Sequence, residues 1–160
     1  MPKERGAFQV LKILHLAMLT GITLLVVVIL IRLKISRNTF IDESFERALQ
    51  IVAVVISLGS LLIGFNLFRR KIMQLRNSSG TAEQRMEQYR AACVQWWALN
   101  EGPGLLASIG LLLSGNYAFL ALAVFHIAIL AVFMPRKENI IMLLNLNSDE
   151  VARLEQGERS

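Results

Sequence analysis

The sequence predicts an all-α membrane protein, a four-helix bundle of two transmembrane hairpins with both termini in the cytoplasm. Three observations predict it. Of 160 residues 54% are hydrophobic and 18% charged, an apolar share beyond that of ordinary soluble domains. Four apolar runs approach the roughly 20 residues that a helix needs to cross about 30 Å of hydrocarbon. The lysines and arginines fall between these runs, most of them on one side of the implied threading. In a soluble chain the net charge of +5 would suggest nucleic acid, but beside this apolar excess it points to a membrane surface. The single cysteine, Cys93, excludes an internal disulfide and a cysteine-based zinc site.

The first run, Ile13 to Ile31, is broken only by His15, Thr20, Gly21 and Thr23 besides Ala17 and Met18. It exceeds the about 7–15 residues of a signal-peptide core, and no small-x-small site follows, so it is expected to remain as a span despite the basic start at Lys3 and Arg5. The second run, Ala48 to Phe68, carries no charge and stops at Arg69-Arg70-Lys71. Within it Ala53, Ser57, Ser60 and Gly64 recur at i, i+4, i+7 and i+11, a small-residue face suited to close helix packing. The third run, Ala91 to Leu113, holds one acid, Glu101, and spans only if that acid is accommodated. The fourth, Tyr117 to Met134, has one ionisable residue, His126, and stops at Pro135-Arg136-Lys137.

The polar segments follow from this threading. Residues 32–47 turn from basic to acidic at Asp42-Glu43 and Glu46, the signature of a helix start. Asn77-Ser78-Ser79-Gly80-Thr81 is the best hinge, giving a first hairpin over 1–76, a cytoplasmic hinge over 77–88, a second hairpin over 89–134 and an amphipathic, charged cytoplasmic tail over 135–160. In the tail, Ile140 to Leu144 is too short to span and is expected on the interface or docked under the bundle. Ser148-Asp149-Glu150 reads as the cap of a short helix reaching about Gln156. Four spans place both termini and the central loop on one face, which collects 13 Lys and Arg against 4 on the other. The positive-inside rule assigns that face to the cytoplasm. A gap-free alignment of Ala17–Gly21 with Ala98–Gly102 hints at a duplicated hairpin.

Glu101 is the residue whose presence needs explaining, because a carboxylate at the membrane centre costs at least ~2.5–3.5 kcal/mol. Eleven residues in from Arg90, at about 1.5 Å each, put it roughly 16 Å deep. Trp97, Glu101, Gly104 and Ser108 share one stripe, and the small residues there let a second helix approach. Asn100, Trp97 and His126 are the polar groups expected around the acid, with His126 its natural partner from the next helix. Two readings stand side by side: a proton or cation site, or a neutral hydrogen-bonding post. The packing positions are Ser57, Ser60, Gly64, Gly104 and Ser108. His15, beside Lys12, reads as a wet interfacial residue. Ala121, Ala128 and Ala131 lie opposite His126 and are free for a second copy or a partner if the histidine points inward.

The segment Trp97-Ala98-Leu99-Asn100-Glu101-Gly102-Pro103 through Ser114-Gly115-Asn116, with the tail Pro135-Arg136-Lys137-Glu138-Asn139-Ile140-Ile141 to Ser148, resembles a family of small, uncharacterised four-transmembrane-helix bacterial inner-membrane proteins. That resemblance covers the C-terminal half and implies an inner-membrane location and no known activity. Ala98 to Leu113 is also distantly similar to the carboxylate-bearing helix of rotary-ATPase proteolipids. No Walker loop, nucleophile elbow, His-Glu-x-x-His or acid pair at metal spacing occurs, so no metal, cofactor or enzymatic activity is expected. The expected function is a non-enzymatic accessory or scaffold component, the alternative a proton- or cation-coupled transporter or channel component using Glu101. The expected partners are the lipid bilayer and a homo-oligomer or another membrane protein, and no nucleic acid.

Overall fold

The computed structural model describes residues 7–35 and 40–156. The described residues form six helices: α1 (Ala7–Ile35), α2 (Glu43–Arg76), α3 (Ala82–Ser114), α4 (Tyr117–Val132), α5 (Lys137–Leu144) and α6 (Ser148–Gln156). Lys3, Arg5, Arg37 and Arg159, which enter the charge count, lie outside the described residues.

The helix boundaries follow local chemistry. Asp42 caps α2 by accepting the Phe45 N–H at 2.9 Å, with Glu43 and Glu46 in the first turn where the helix dipole favours acids. Thr81 and Gln84 form a reciprocal capping box at the start of α3. The linker is therefore shorter than the expected 77–88, since residues 82–88 already belong to α3. Gly115, at φ 68°, ends α3 in the left-handed conformation that glycine adopts without strain. Asn116 then caps α4 by accepting the Ala118 N–H at 2.8 Å. The helix α6 is capped by Asn147 and not by Ser148: Asn147 Oδ1 accepts the Glu150 N–H, while Glu150 Oε2 accepts the Asn147 N–H, both at 2.9 Å.

Two helices, α1 from Phe8 and α2, are long and apolar enough to cross a membrane. At 16 residues α4 reaches that length only together with α5, and the two are bent by 72°. The middle of α3 is diluted by Gln95, Asn100, Glu101 and Ser108, and it does not meet the same test of length and composition. It is nevertheless the centre of the molecule. Helices α1, α2 and α4 all pack on α3, and α1 also touches α4, with no substantial contact between α1 and α2. The hairpins also differ in proportion, with 34 residues in α2 and 16 in α4, so the hinted duplication is not mirrored in element lengths.

The two ends are closed differently. At one, the Phe40 N–H donates to the Leu113 carbonyl at 2.8 Å and Asn116 bonds Glu46, tying the α1–α2 loop to the α3–α4 turn. At the other, α5 packs on α2 and α6 on α3, burying Ile140, Leu144, Leu146 and Leu154 with Ile72, Leu75 and Met86. The segment Ile140–Leu144 is thus docked under the helices. Arg85 fastens it, donating to the Leu144 carbonyl at 2.8 Å and pairing with Glu150.

Candidate functional site

The polar groups inside the molecule are positioned by the register of α3. Successive residues of a helix are about 100° apart, and Trp97, Asn100, Gly104 and Ser108 fall on the arc of α3 that is buried. Gly104 lets α1 and α4 meet over this arc, because a Cβ there would stand 2.6 Å from Ile22 Cδ1 and 3.1 Å from His126 Cβ. Close approach is what a small residue contributes between apolar helices. Ser108 donates to the Gly104 carbonyl at 2.8 Å and is spent within its own helix.

Asn100, fully buried, clamps His126 with both ends of its amide. Its Nδ2 donates to the His126 carbonyl oxygen at 3.0 Å, and its Oδ1 stands 3.0 Å from His126 Nδ1. The carbonyl can only accept, so the amide nitrogen must face it, which leaves Oδ1 as an acceptor toward the ring. His126 Nδ1 therefore carries the proton and donates, and the lone pair sits on Nε2. That Nε2 is buried with no hydrogen-bond partner among the described residues.

Glu101 does not join this clamp. One residue beyond Asn100, it is turned about 100° away round the helix, is half-buried, and forms no hydrogen bond or ion pair among the described residues. The expected meeting of Glu101 with His126 is thus replaced by Asn100 with His126. Depth arithmetic allowed both; the angle round α3 selects the second. Trp97 is buried, and its ring packs edge-on against His15 with centroids 4.8 Å apart.

His15 is the residue that the sequence reading misplaced. It is fully buried, and neither ring nitrogen has a partner among the described residues. Its proximity to Lys12 suggested water, but a second signal was present: His15 shares a stripe with Ile22, Val26, Ile29 and Leu33 at steps of seven, four, three and four. All five are buried, as one face of a helix docked along its length requires. On α2, Ala53, Ser57 and Gly64 are buried and Ser60 is half-buried, and a Cβ at Gly64 would stand 2.9 Å from the Trp96 ring. On α4, His126 points inward while Ala121, Ala128 and Ala131 are exposed.

No group of three or more His, Cys, Asp or Glu able to hold a metal ion occurs among the described residues. Compared with protein-family models, curated proteins and solved structures, the chain matches none of them. Chemically, the buried groups form a short polar row, His15–Trp97 and Asn100–His126, that links α1, α3 and α4. Asn100 pairs there with the carbonyl and Nδ1 of His126, while His126 Nε2 and both His15 nitrogens stay enclosed without a partner among the described residues.

Proposed function

We propose that the chain is a multi-pass integral protein of the bacterial inner membrane, with α1 to α4 as its spans and both termini cytoplasmic, acting as a non-enzymatic accessory or scaffold component. One observation carries the membrane reading, namely an inverted distribution of polarity. Val28, Val55 and Leu62 on α1 and α2 are 61%, 63% and 67% exposed, while His15, Asn100, Ser108 and His126 are enclosed. Water would not leave such faces open, whereas lipid does so at no cost. Enclosure keeps these groups off hydrocarbon, and Asn100, Ser108 and His126 Nδ1 also pair within the protein. The scaffold reading is supported by the docked tail and by the exposed alanine face of α4, both available for contacts. The basic cluster Arg69-Arg70-Lys71 supports the orientation. Reporter fusions after Gly80 and after Ser160 should read cytoplasmic, and one at Gly115 should read periplasmic; the reverse pattern overturns the threading.

A second reading, a proton- or cation-coupled carrier component, is favoured by Glu101, a half-buried carboxyl without a partner among the described residues, at about the depth of the bilayer centre. Its test is proton flux into vesicles holding wild-type protein or Glu101→Gln. Flux in the wild type that the substitution abolishes supports the carrier, and no flux under any gradient leaves the scaffold.

A further inference from the structure

The 72° bend between α4 and α5 leaves a half-open pocket of about 400 Å³ in its crook, closed on the other side by α3 and by Phe68 of α2. That volume is within the range of roughly 300–1,000 Å³ typical of small-ligand sites. Its body is aromatic and apolar. The Trp96 ring lies 5.5 Å from that of Phe133 and 6.4 Å from that of Phe68, centroid to centroid, and Met142 and Leu143 complete the wall. Its polar wall residues include Arg136 and Asn139, both exposed. Trp96 is 4% exposed, and its indole N–H finds no acceptor among the described residues. The pocket is thus apolar in its body, with Arg136 and Asn139 at its polar edge.

The level of this pocket follows from where the apolar runs stop. The run in α2 ends at Phe68, directly before Arg69-Arg70-Lys71, and the run in α4 ends at Met134, directly before Pro135-Arg136-Lys137. Both transitions border the pocket, so on the membrane reading its mouth stands at the headgroup layer, where aromatic belts and basic residues meet anionic lipid. We propose that this crook binds one anionic phospholipid of the cytoplasmic leaflet, with an acyl segment against Trp96, Phe133 and Met142 and its phosphate at Arg136. The proposal rests on the membrane reading. It adds to that reading a defined lipid site.

The chain has two tryptophans, Trp96 and Trp97, and both line the pocket, so their fluorescence reports its occupancy. The full chain is reconstituted in phosphatidylcholine vesicles holding a minor fraction of either dibrominated phosphatidylglycerol or dibrominated phosphatidylcholine, and flotation is measured on the same samples. The expected result is an apparent preference of about fivefold for the anionic quencher, the size of one basic contact at a membrane surface. Arg136→Gln removes that preference. Arg70→Gln, an equal loss of charge on the same face but outside the pocket wall, keeps it. Inorganic phosphate and glycerol phosphate leave the quenching unchanged. Equal quenching by both lipids, or an equal loss in both variants, overturns the lipid site while the membrane reading stands. Relief of quenching by free phosphate shows a soluble ligand instead and overturns it too. Protein that does not float with the vesicles overturns the membrane reading itself.

Discussion

Replacing Asn100 by Leu removes the amide that holds His126 while keeping the same branched outline of heavy atoms; the methyl groups are bulkier than the amide, so a packing cost adds to the lost hydrogen bonds. Two contacts of 3.0 Å are lost, from Nδ2 to the His126 carbonyl and from His126 Nδ1 to Oδ1. Hydrogen bonds between membrane helices contribute on average about 0.6 kcal/mol and at most about 1.7 kcal/mol each. The pair therefore accounts for about 1–3 kcal/mol. The upper part of that range applies if the carbonyl and the imidazole N–H stay buried and unpaired in the variant. Glu101→Leu is the matched comparison, since it removes a neighbouring polar side chain with no partner to lose, and it should stay within about 0.5 kcal/mol of wild type. Stability is read by titrating folded protein in mild detergent with a denaturing detergent and following tryptophan fluorescence. Wild-type stability in Asn100→Leu, or an equal loss in Glu101→Leu, refutes the assignment of Asn100 as the partner of His126.

Two helical glycines separate close approach from mere helix propensity. Gly104→Ala on α3 puts a methyl 2.6 Å from Ile22 Cδ1 and should cost about 1–3 kcal/mol, whereas Gly59→Ala on α2 meets nothing within 4 Å and should gain up to about 1 kcal/mol from its helical position; the same detergent titration ranks them. The docking of the tail should be acid-sensitive. The backbone N–H of Asn147, and after it Arg85, hold the Glu150 carboxyl below the usual carboxylate range. A carboxyl depressed in the folded state contributes stability above its ordinary pKa of about 4.3, and that contribution is lost as pH falls through the lower folded value. The mobility of a spin label on α6 should therefore rise on acidification below that range, and Glu150→Gln should show the mobile signal already at neutral pH; a pH-independent signal in wild type refutes the latch.

The linear sequence by itself determined which runs are helical and some of their ends. Apolar runs without charge, the acidic start at Asp42 and Gly115 after α3 are local signals, set within one turn of chain and independent of what packs nearby, whereas the basic cluster at Arg69 ends the apolar run and not α2, which continues to Arg76. It also determined that the interior had to deal with polar groups at mid-depth, because Asn100, Glu101 and His126 stand within apolar runs. What it left open was the angle at which each helix faces its neighbours. Asn100 and Glu101 are adjacent in sequence and equal in depth, yet the packing of α4 on α3 assigns the inward arc to Asn100 and leaves Glu101 at its edge. The same holds for His15, whose apolar stripe was legible but whose wet or dry fate depended on whether α3 would cover that stripe with Trp97. The pocket at the α4–α5 bend had no linear signature, since its walls come from Phe68, Trp96, Phe133 and Met142, up to 74 positions apart. Helical periodicity fixes which side chains share a face; only the contact between faces, a property of the folded whole, decides which of them meet.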